Sequence, residues 1–289
     1  MSDFKINKLC VIGVGTIGGS VACALRAAGC VNTVVGIGRN KDNLERAKTL
    51  GVIDEYSTDI KTVISGTDML LVATPLGAMQ SVFAELAHCL PENCIMTDVG
   101  SAKQHVVNAV EKAFGELPRN FIPGHPIAGT EKSGVEAAFA ELFQQRRVIL
   151  TPHSKTDAAA LDTVRQMWLS CGAELVEMQP KHHDEVLAET SHLPHMLAYA
   201  LVDTLARMDD SQEIFEFAAG GFRDFTRIAS SDPQMWHDIC VANREQLTKA
   251  LHAFNEDLQR LTRAVENADS DYLKQTFTRA KKARDQFCG

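Results

Sequence analysis

Gly13-Val14-Gly15-Thr16-Ile17-Gly18 follows directly on the apolar run Leu9-Cys10-Val11-Ile12, and residues 20–28 beyond it have helical composition. A strand that runs into such a turn and then into a helix gives each glycine a separate task. The first makes the tight turn, the second lets backbone N–H groups approach a pyrophosphate, and the third lets the helix pack closely on the strand. The helix N-terminus then faces the phosphates. Gly13, Gly15 and Gly18, with Thr16 and Ile17 between them, are therefore expected to hold a dinucleotide; the alternative is a set of glycines that serves a tight turn only.

The second strand bears on which dinucleotide. Thr33-Val34-Val35-Gly36-Ile37 reads as a short β run, and an NAD-preferring site places Asp or Glu at its end, about 20 residues past the last glycine. This chain reads Gly38-Arg39-Asn40-Lys41 there, with no carboxylate. A carboxylate accepts from a ribose 2′-hydroxyl and repels a 2′-phosphate, whereas a guanidinium binds the phosphate bidentately. Arg39 thus points to NADP over NAD, unless it is simply a solvated loop residue. Thr74 and Pro75, just past the apolar run Leu70-Leu71-Val72-Ala73, are expected among the cofactor-binding residues.

Working outward, the first half alternates short β runs with helical stretches. Residues 70–73, 94–97, 121–124 and 147–150 read as strands, and residues 173–178 as a last one. That rhythm predicts a Rossmann-like, doubly wound parallel sheet in an α/β domain spanning residues 1–179. From residue 180 to 289 strand signals nearly vanish and an all-helical domain is expected. Asp232-Pro233 has the form of an N-cap followed by Pro at the first helical position. Beyond it apolar residues from Trp236 to Val265 recur at three and four, which predicts one helix of roughly 30 residues with a continuous stripe. So long a stripe calls for a partner subunit.

Composition narrows the classes. Hydrophobic residues at 45% and charged residues at 23% are ordinary for a globular protein, and a formal charge of −8 disfavours a nucleic-acid surface. The eight cysteines include no CxxC pair, which reads as a reducing compartment rather than a disulfide scaffold. No leader pattern and no apolar run of about 18 residues is present, so a cytoplasmic protein without membrane contact is expected.

Several side-chain groupings could carry chemistry. Thr97-Asp98-Val99-Gly100-Ser101-Ala102-Lys103 follows a predicted strand, at the sheet edge where open α/β folds bind ligands. Ser101 there would cap the next helix or orient a ligand, and Lys103 reads as a solvated charge. His125, between Gly124 and Pro126, sits in an apolar loop after another strand. A neutral imidazole there could take a proton from a substrate hydroxyl as hydride leaves the same carbon. His192, His195 and Tyr199 share a helix face, but their spacing is not that of a zinc motif, and no metal is expected. His192 and His195 suit a polar pocket better, and the adjacent His182 and His183 read as a solvated helix start. Arg223 and Arg227 lie one turn apart, with Asp224 three residues before Arg227, a grouping for carboxylate capture or for a surface ion pair.

Taken in order along the chain, the glycine turn, DVGSAK (98–103), GHPIAGTEKSGVE (124–136), SHLPH (191–195) and GGFRDFTRIASSDPQMW (220–236) resemble the prephenate/arogenate dehydrogenases of tyrosine biosynthesis. The resemblance implies an NAD(P)-binding domain followed by a helical domain through which two subunits interlock. It implies oxidative decarboxylation of a cyclohexadienyl acid, with hydride passing to NAD(P)+. It makes His125 the catalytic base and Ser101 its helper beside the nicotinamide. Arg227 would grip a substrate carboxylate, His195 and Thr130 would line the pocket, and Trp236 would help close it. Glu131, Arg223 and Asp224 would form a charged gate. Two other readings stand beside it: a β-hydroxyacid-type dehydrogenase or imine reductase, and a non-catalytic NADP-binding sensor.

Overall fold

A computed structural model describes residues 4–130 and 132–288. Its main sheet has six strands, β1 (Ile6–Ile12), β2 (Val31–Ile37), β3 (Glu55–Ser57), β4 (Met69–Val72), β5 (Ile95–Asp98) and β6 (Phe121–Ile122). They lie in the order β3-β2-β1-β4-β5-β6, all parallel. Helices α1 (Thr16–Ala27), α2 (Lys41–Thr49), α3 (Leu76–Leu86) and α4 (Lys103–Phe114) make the crossovers. The chain runs from β1 to β2 on one side and later returns to β4 on the other, so the strand order reverses at β1 and β4. Ligands in open parallel sheets bind at that crevice.

The strands are apolar on both faces because both faces are covered. Leu9 and Val11 of β1 join Val34, Leu71, Leu25, Phe143 and Trp168 in one core, whereas Cys10 and Ile12 join Val35, Leu70, Val72, Phe83 and Phe121 in the other. Glycine is required where β1 ends. Gly13 has φ +94°, and a Cβ on it would meet the Ala73 carbonyl oxygen at 2.5 Å.

The last strands depart from the expected single sheet. The predicted strand over 121–124 is divided: β6 ends at Ile122, and β7 (Gly124–Pro126) belongs to a second sheet with β8 (Arg147–Leu150) and β9 (Glu174–Glu177). There β7 runs antiparallel to β8, and β9 parallel to it. Pro123 has no N–H for the ladder, and the Gly124 N–H goes instead to Asp98 Oδ1 at 3.2 Å. Helix α5 (Ala158–Ser170) joins β8 to β9.

After β9 the chain is helical: α6 (Pro180–Leu187), a π-helical turn over Ala188–His192, α7 (Leu193–Ala206), α8 (Ser211–Glu216), α9 (Gly220–Thr226), a 3-10 turn over Arg227–Ser230, α10 (Pro233–Ala242), α11 (Arg244–Glu266) and α12 (Ser270–Cys288). Asp232 caps α10 as expected, its side chain accepting from Met235 N at 2.7 Å. The single long helix does not form. Its path breaks at Asn243, which leaves helical geometry at φ −104°, ψ 28°. The buried Asn243 amide instead donates to the Asp184 carbonyl at 2.8 Å and meets His192 Nδ1 at 3.1 Å.

By backbone proximity the chain divides into residues 1–243 and 244–289. The first unit thus runs past residue 179, because Trp236 and Ile239 of α10 pack into the core beneath α3 and α4. In the second unit α11 and α12 pack together, leaving Phe254, Leu258, Val265 and Phe277 exposed. No helix among the described residues is long and apolar enough to cross a membrane.

Candidate active site

The glycine turn has the shape a dinucleotide needs. A Cβ on Gly18 would collide with the Gly13 carbonyl, whereas Gly15 has open space around it. Gly15 is also the N-cap of α1 and no side chain caps that helix, so its first N–H groups face the open side without a competitor. Across the crevice, Thr74 carries a buried hydroxyl with no partner among the described residues. Thr16 fastens the loop that follows β7, donating to the Gly134 carbonyl at 3.0 Å. Arg39 is exposed just past β2, between Gly38 and the α2 cap Asn40. The residues present therefore fit a dinucleotide.

At the ends of β5 and β7 the structure overturns one reading. Lys103 is no solvated charge; its ammonium is fully buried, 2.5 Å from Asp98 Oδ2 and 2.5 Å from the Gly124 carbonyl. Asp98 also accepts from Gly100 N at 2.7 Å. One ion pair thus ties the end of β5, the start of α4 and the start of β7. Burial lowers the Lys103 pKa, and Asp98 opposes that shift. Removing either partner alone would strand a buried charge, at a cost of about 3–5 kcal/mol.

Ser101 does not cap α4. The cap position is Ala102, without a side-chain bond. The first N–H groups of α4 go to a carboxylate from another helix, Lys103 N to Asp184 Oδ1 at 2.7 Å and Gln104 N to Asp184 Oδ2 at 2.9 Å. Ser101 is left half-buried with its hydroxyl unused among the described residues.

His125 lies in β7, buried and paired in register with Ile149. Its Nδ1 is 2.8 Å from Nε2 of His183, and His183 Nδ1 is 2.7 Å from Asp184 Oδ1. His183 is fully buried, so only half of the solvated-start reading holds: His182 is the exposed member, facing Glu185 at 3.7 Å. Burial pushes His125 well below the ordinary histidine range, and His183, Lys103 and His192 push the same way. The imidazole is neutral near pH 7. Its other nitrogen, Nε2, has no hydrogen-bond partner among the described residues.

The helical wall is built around Trp236. His195 stacks on it at 3.7 Å between centroids, 22° from parallel, and His192 meets it edge-on at 6.1 Å. Pro194 lies in the first turn of α7, and the chain before it widens into the π-helical turn. A proline ring clashes with the carbonyl four residues back in a regular helix, which accounts for the widening. His195 Nδ1 bonds the Ser191 carbonyl at 2.8 Å. Arg227 begins the turn after α9, and its charge lowers the His195 pKa after the larger effect of burial.

Three expected residues fall outside this cluster. Thr130 is exposed, its hydroxyl donating to the Lys132 carbonyl at 2.6 Å. Arg223 and Asp224 are exposed on α9 and form no ion pair among the described residues, so Asp224 does not brace Arg227. Glu131 lies outside the described residues.

Comparison with known proteins decides the family. Residues 21–177 match the model of the prephenate dehydrogenase nucleotide-binding domain, and residues 179–279 that of the prephenate dehydrogenase dimerization domain. The chain belongs to the prephenate dehydrogenase family. It is 38% identical to a cyclohexadienyl dehydrogenase of Zymomonas mobilis, over 98% of this chain and 96% of that one. Among solved structures it is similar to prephenate dehydrogenase from Aquifex aeolicus in complex with hydroxyphenyl propionate and NAD+, with TM-score 0.92, 37% identity, and 99% and 100% of the two chains covered. It is also similar to Synechocystis arogenate dehydrogenase, with TM-score 0.81, 28% identity, and 97% and 99% coverage.

Burial of His192 makes the fold sensitive to acid. His192 titrates at about 4 when folded, lowered chiefly by burial, against about 6.5 in an unfolded chain. Between those values the unfolded chain binds a proton that the folded one refuses, so stability falls as pH falls below 6.5. The expected loss from His192 alone is about 2 kcal/mol between pH 7 and pH 5. Urea unfolding at the two pH values measures it, and His192→Gln should lose less over the same interval.

Proposed function

We propose that the chain oxidatively decarboxylates a cyclohexadienyl acid, prephenate or arogenate, with His125 as the base. The observation that carries this reading is the neutral, buried imidazole of His125, held through Nδ1 and with no partner on Nε2 among the described residues, in a chain of this family. A bound nicotinamide supplies the hydride acceptor. His125 takes the proton of the ring hydroxyl through Nε2 as hydride leaves the same carbon. The ring carboxylate then departs as CO2, its bonding electrons complete the aromatic ring, and the proton returns to the phenolic oxygen. Aromatisation drives the reaction, so the protein's work is to position the reactants and hold one proton.

In this reading Ser101 assists at the nicotinamide end, since its hydroxyl is not spent on capping. Arg227 grips a substrate carboxylate, with His195 and Trp236 forming the adjacent wall and Thr130, Glu131, Arg223 and Asp224 the rim. Residues 1–179 then serve the cofactor and residues 180–289 the substrate and the dimer contact, a division supported by the two family models, which part at 177 and 179. Gly13, Gly15, Thr16, Ile17, Gly18, Thr74 and Pro75 hold the dinucleotide.

His125→Asn should lower kcat by about 10²–10⁴ while leaving KM for the cofactor nearly unchanged. Arg227→Gln should do the opposite, raising substrate KM roughly 10–100-fold, as loss of a charged hydrogen bond does. Near-normal turnover in the first variant removes His125 from the reaction.

The cofactor reading is NADP over NAD, resting on Arg39 and on the missing acid after β2. Steady-state kinetics with both cofactors test it, and Arg39→Asp is expected to lower the NADP-to-NAD ratio of kcat/KM. An unaltered ratio means that Arg39 does not read the 2′-phosphate.

The exposed stripe of Phe254, Leu258 and Val265 on α11 is covered, in this proposal, by a second copy of the chain. Light scattering should give the mass of a dimer, and Leu258→Glu should shift it towards the monomer.

A further inference from the structure

His183 and Asp184 have no part in the function proposed above, yet both are buried and in line with its base. Three short contacts make a chain: Asp184 Oδ1 to His183 Nδ1 at 2.7 Å, His183 Nε2 to His125 Nδ1 at 2.8 Å, and Asp184 Oδ1 to Lys103 N at 2.7 Å. We propose that His183 and Asp184 are positioning residues that hold His125 in its Nδ1–H tautomer, so that its Nε2 always offers a lone pair to the cleft.

The proton positions are fixed from the carboxylate end. Both Asp184 carboxylate oxygens accept backbone N–H bonds from the start of α4. Backbone amides cannot reverse their donor role, so the carboxylate presents a lone pair to His183, and the proton in that contact belongs to His183 Nδ1. With Nδ1 protonated, a neutral His183 has its lone pair on Nε2. The 2.8 Å contact between the rings needs one proton, which then belongs to His125 Nδ1. Nε2 of His125 is left as the acceptor, and it is the nitrogen without a hydrogen-bond partner among the described residues.

The opposite arrangement has two forms, and each is costly. A neutral His183 protonated on Nε2 would set its Nδ1 lone pair against Asp184 Oδ1 at 2.7 Å. A His183 protonated on both nitrogens would be a buried cation beside the Lys103 ammonium, which together with burial keeps the His183 pKa low despite Asp184 and Asp98. Asp184 therefore has two tasks, capping α4 next to Ser101 and setting the tautomer two rings away. The Asn243 amide, bonded to the Asp184 carbonyl and to His192, holds that segment from the other side.

The catalytic part of this inference rests on His125 being the base; the tautomer does not. Long-range proton–nitrogen correlation spectra of the histidine-labelled protein at neutral pH read the tautomer directly. The expected result is Nδ1–H for both His125 and His183. Asp184→Ala removes the acceptor that fixes the proton on His183 Nδ1, so His125 should no longer be held as Nδ1–H, an Nε2–H form should appear, and kcat should fall about tenfold or more with substrate KM little changed. His183→Leu should lose activity similarly, whereas His183→Gln, which keeps an acceptor near the same place, should retain kcat within about tenfold. A His125 found as Nε2–H in the unaltered protein, or unmoved by Asp184→Ala, overturns the proposal, as does normal turnover in His183→Leu. Should His125→Asn stay active while the spectra show Nδ1–H, the base assignment falls and the tautomer assignment stands.

Discussion

The buried Lys103–Asp98 pair is the constraint on which the site's geometry depends. Asp98 ends a central parallel strand, Lys103 begins the helix after it, and the Gly124 carbonyl that Lys103 also binds lies next to His125. A charge pair taken out of water is rarely retained for stability alone, since packed hydrocarbon serves that purpose as well or better. Here it joins three chain segments at one point. Each segment delivers a different part of the site: the Ser101 turn, the α4 N-terminus and the imidazole.

A second carboxylate repeats the pattern from the helical side. Asp184 lies 80 residues from Gln104 in sequence, yet it caps the helix that Gln104 opens. The same helix packs against α3 and the core that Trp236 enters, which explains why the compact unit extends to Asn243 while the family models part near residue 178. The nucleotide half and the first helices of the other half form one packed body, so His125 and the His183–Asp184 pair that it meets arrive from opposite halves of the chain at fixed distances.

Much of this was legible in the sequence, and the reason is locality. The glycine turn, the apolar strands and the Asp232-Pro233 cap each depend on residues within one turn or strand of each other. Resemblance to a family added the roles proposed for His125 and Arg227. Errors came where a residue's partner was far away. Lys103 and His183 have no local mark of burial, because a Lys in a first helical turn and a His pair after a proline ordinarily face water. Asn243 sits on the apolar period, so the period alone carried the helix through it. The very short β3, with the polar run Glu55-Tyr56-Ser57, had no strand signal at all.

By itself the sequence determined the class of the protein: a dinucleotide fold followed by helices, in the prephenate dehydrogenase family, with one histidine singled out by its loop. The fold follows from backbone geometry and apolar periodicity, which neighbouring residues control, and the family from the resemblance that its motifs carry. Tertiary structure alone decided which of two adjacent histidines turns inward, which carboxylate caps α4, and which nitrogen of His125 remains open. Each of these is a hydrogen bond between segments distant in sequence, and its existence depends on packing that no local pattern encodes.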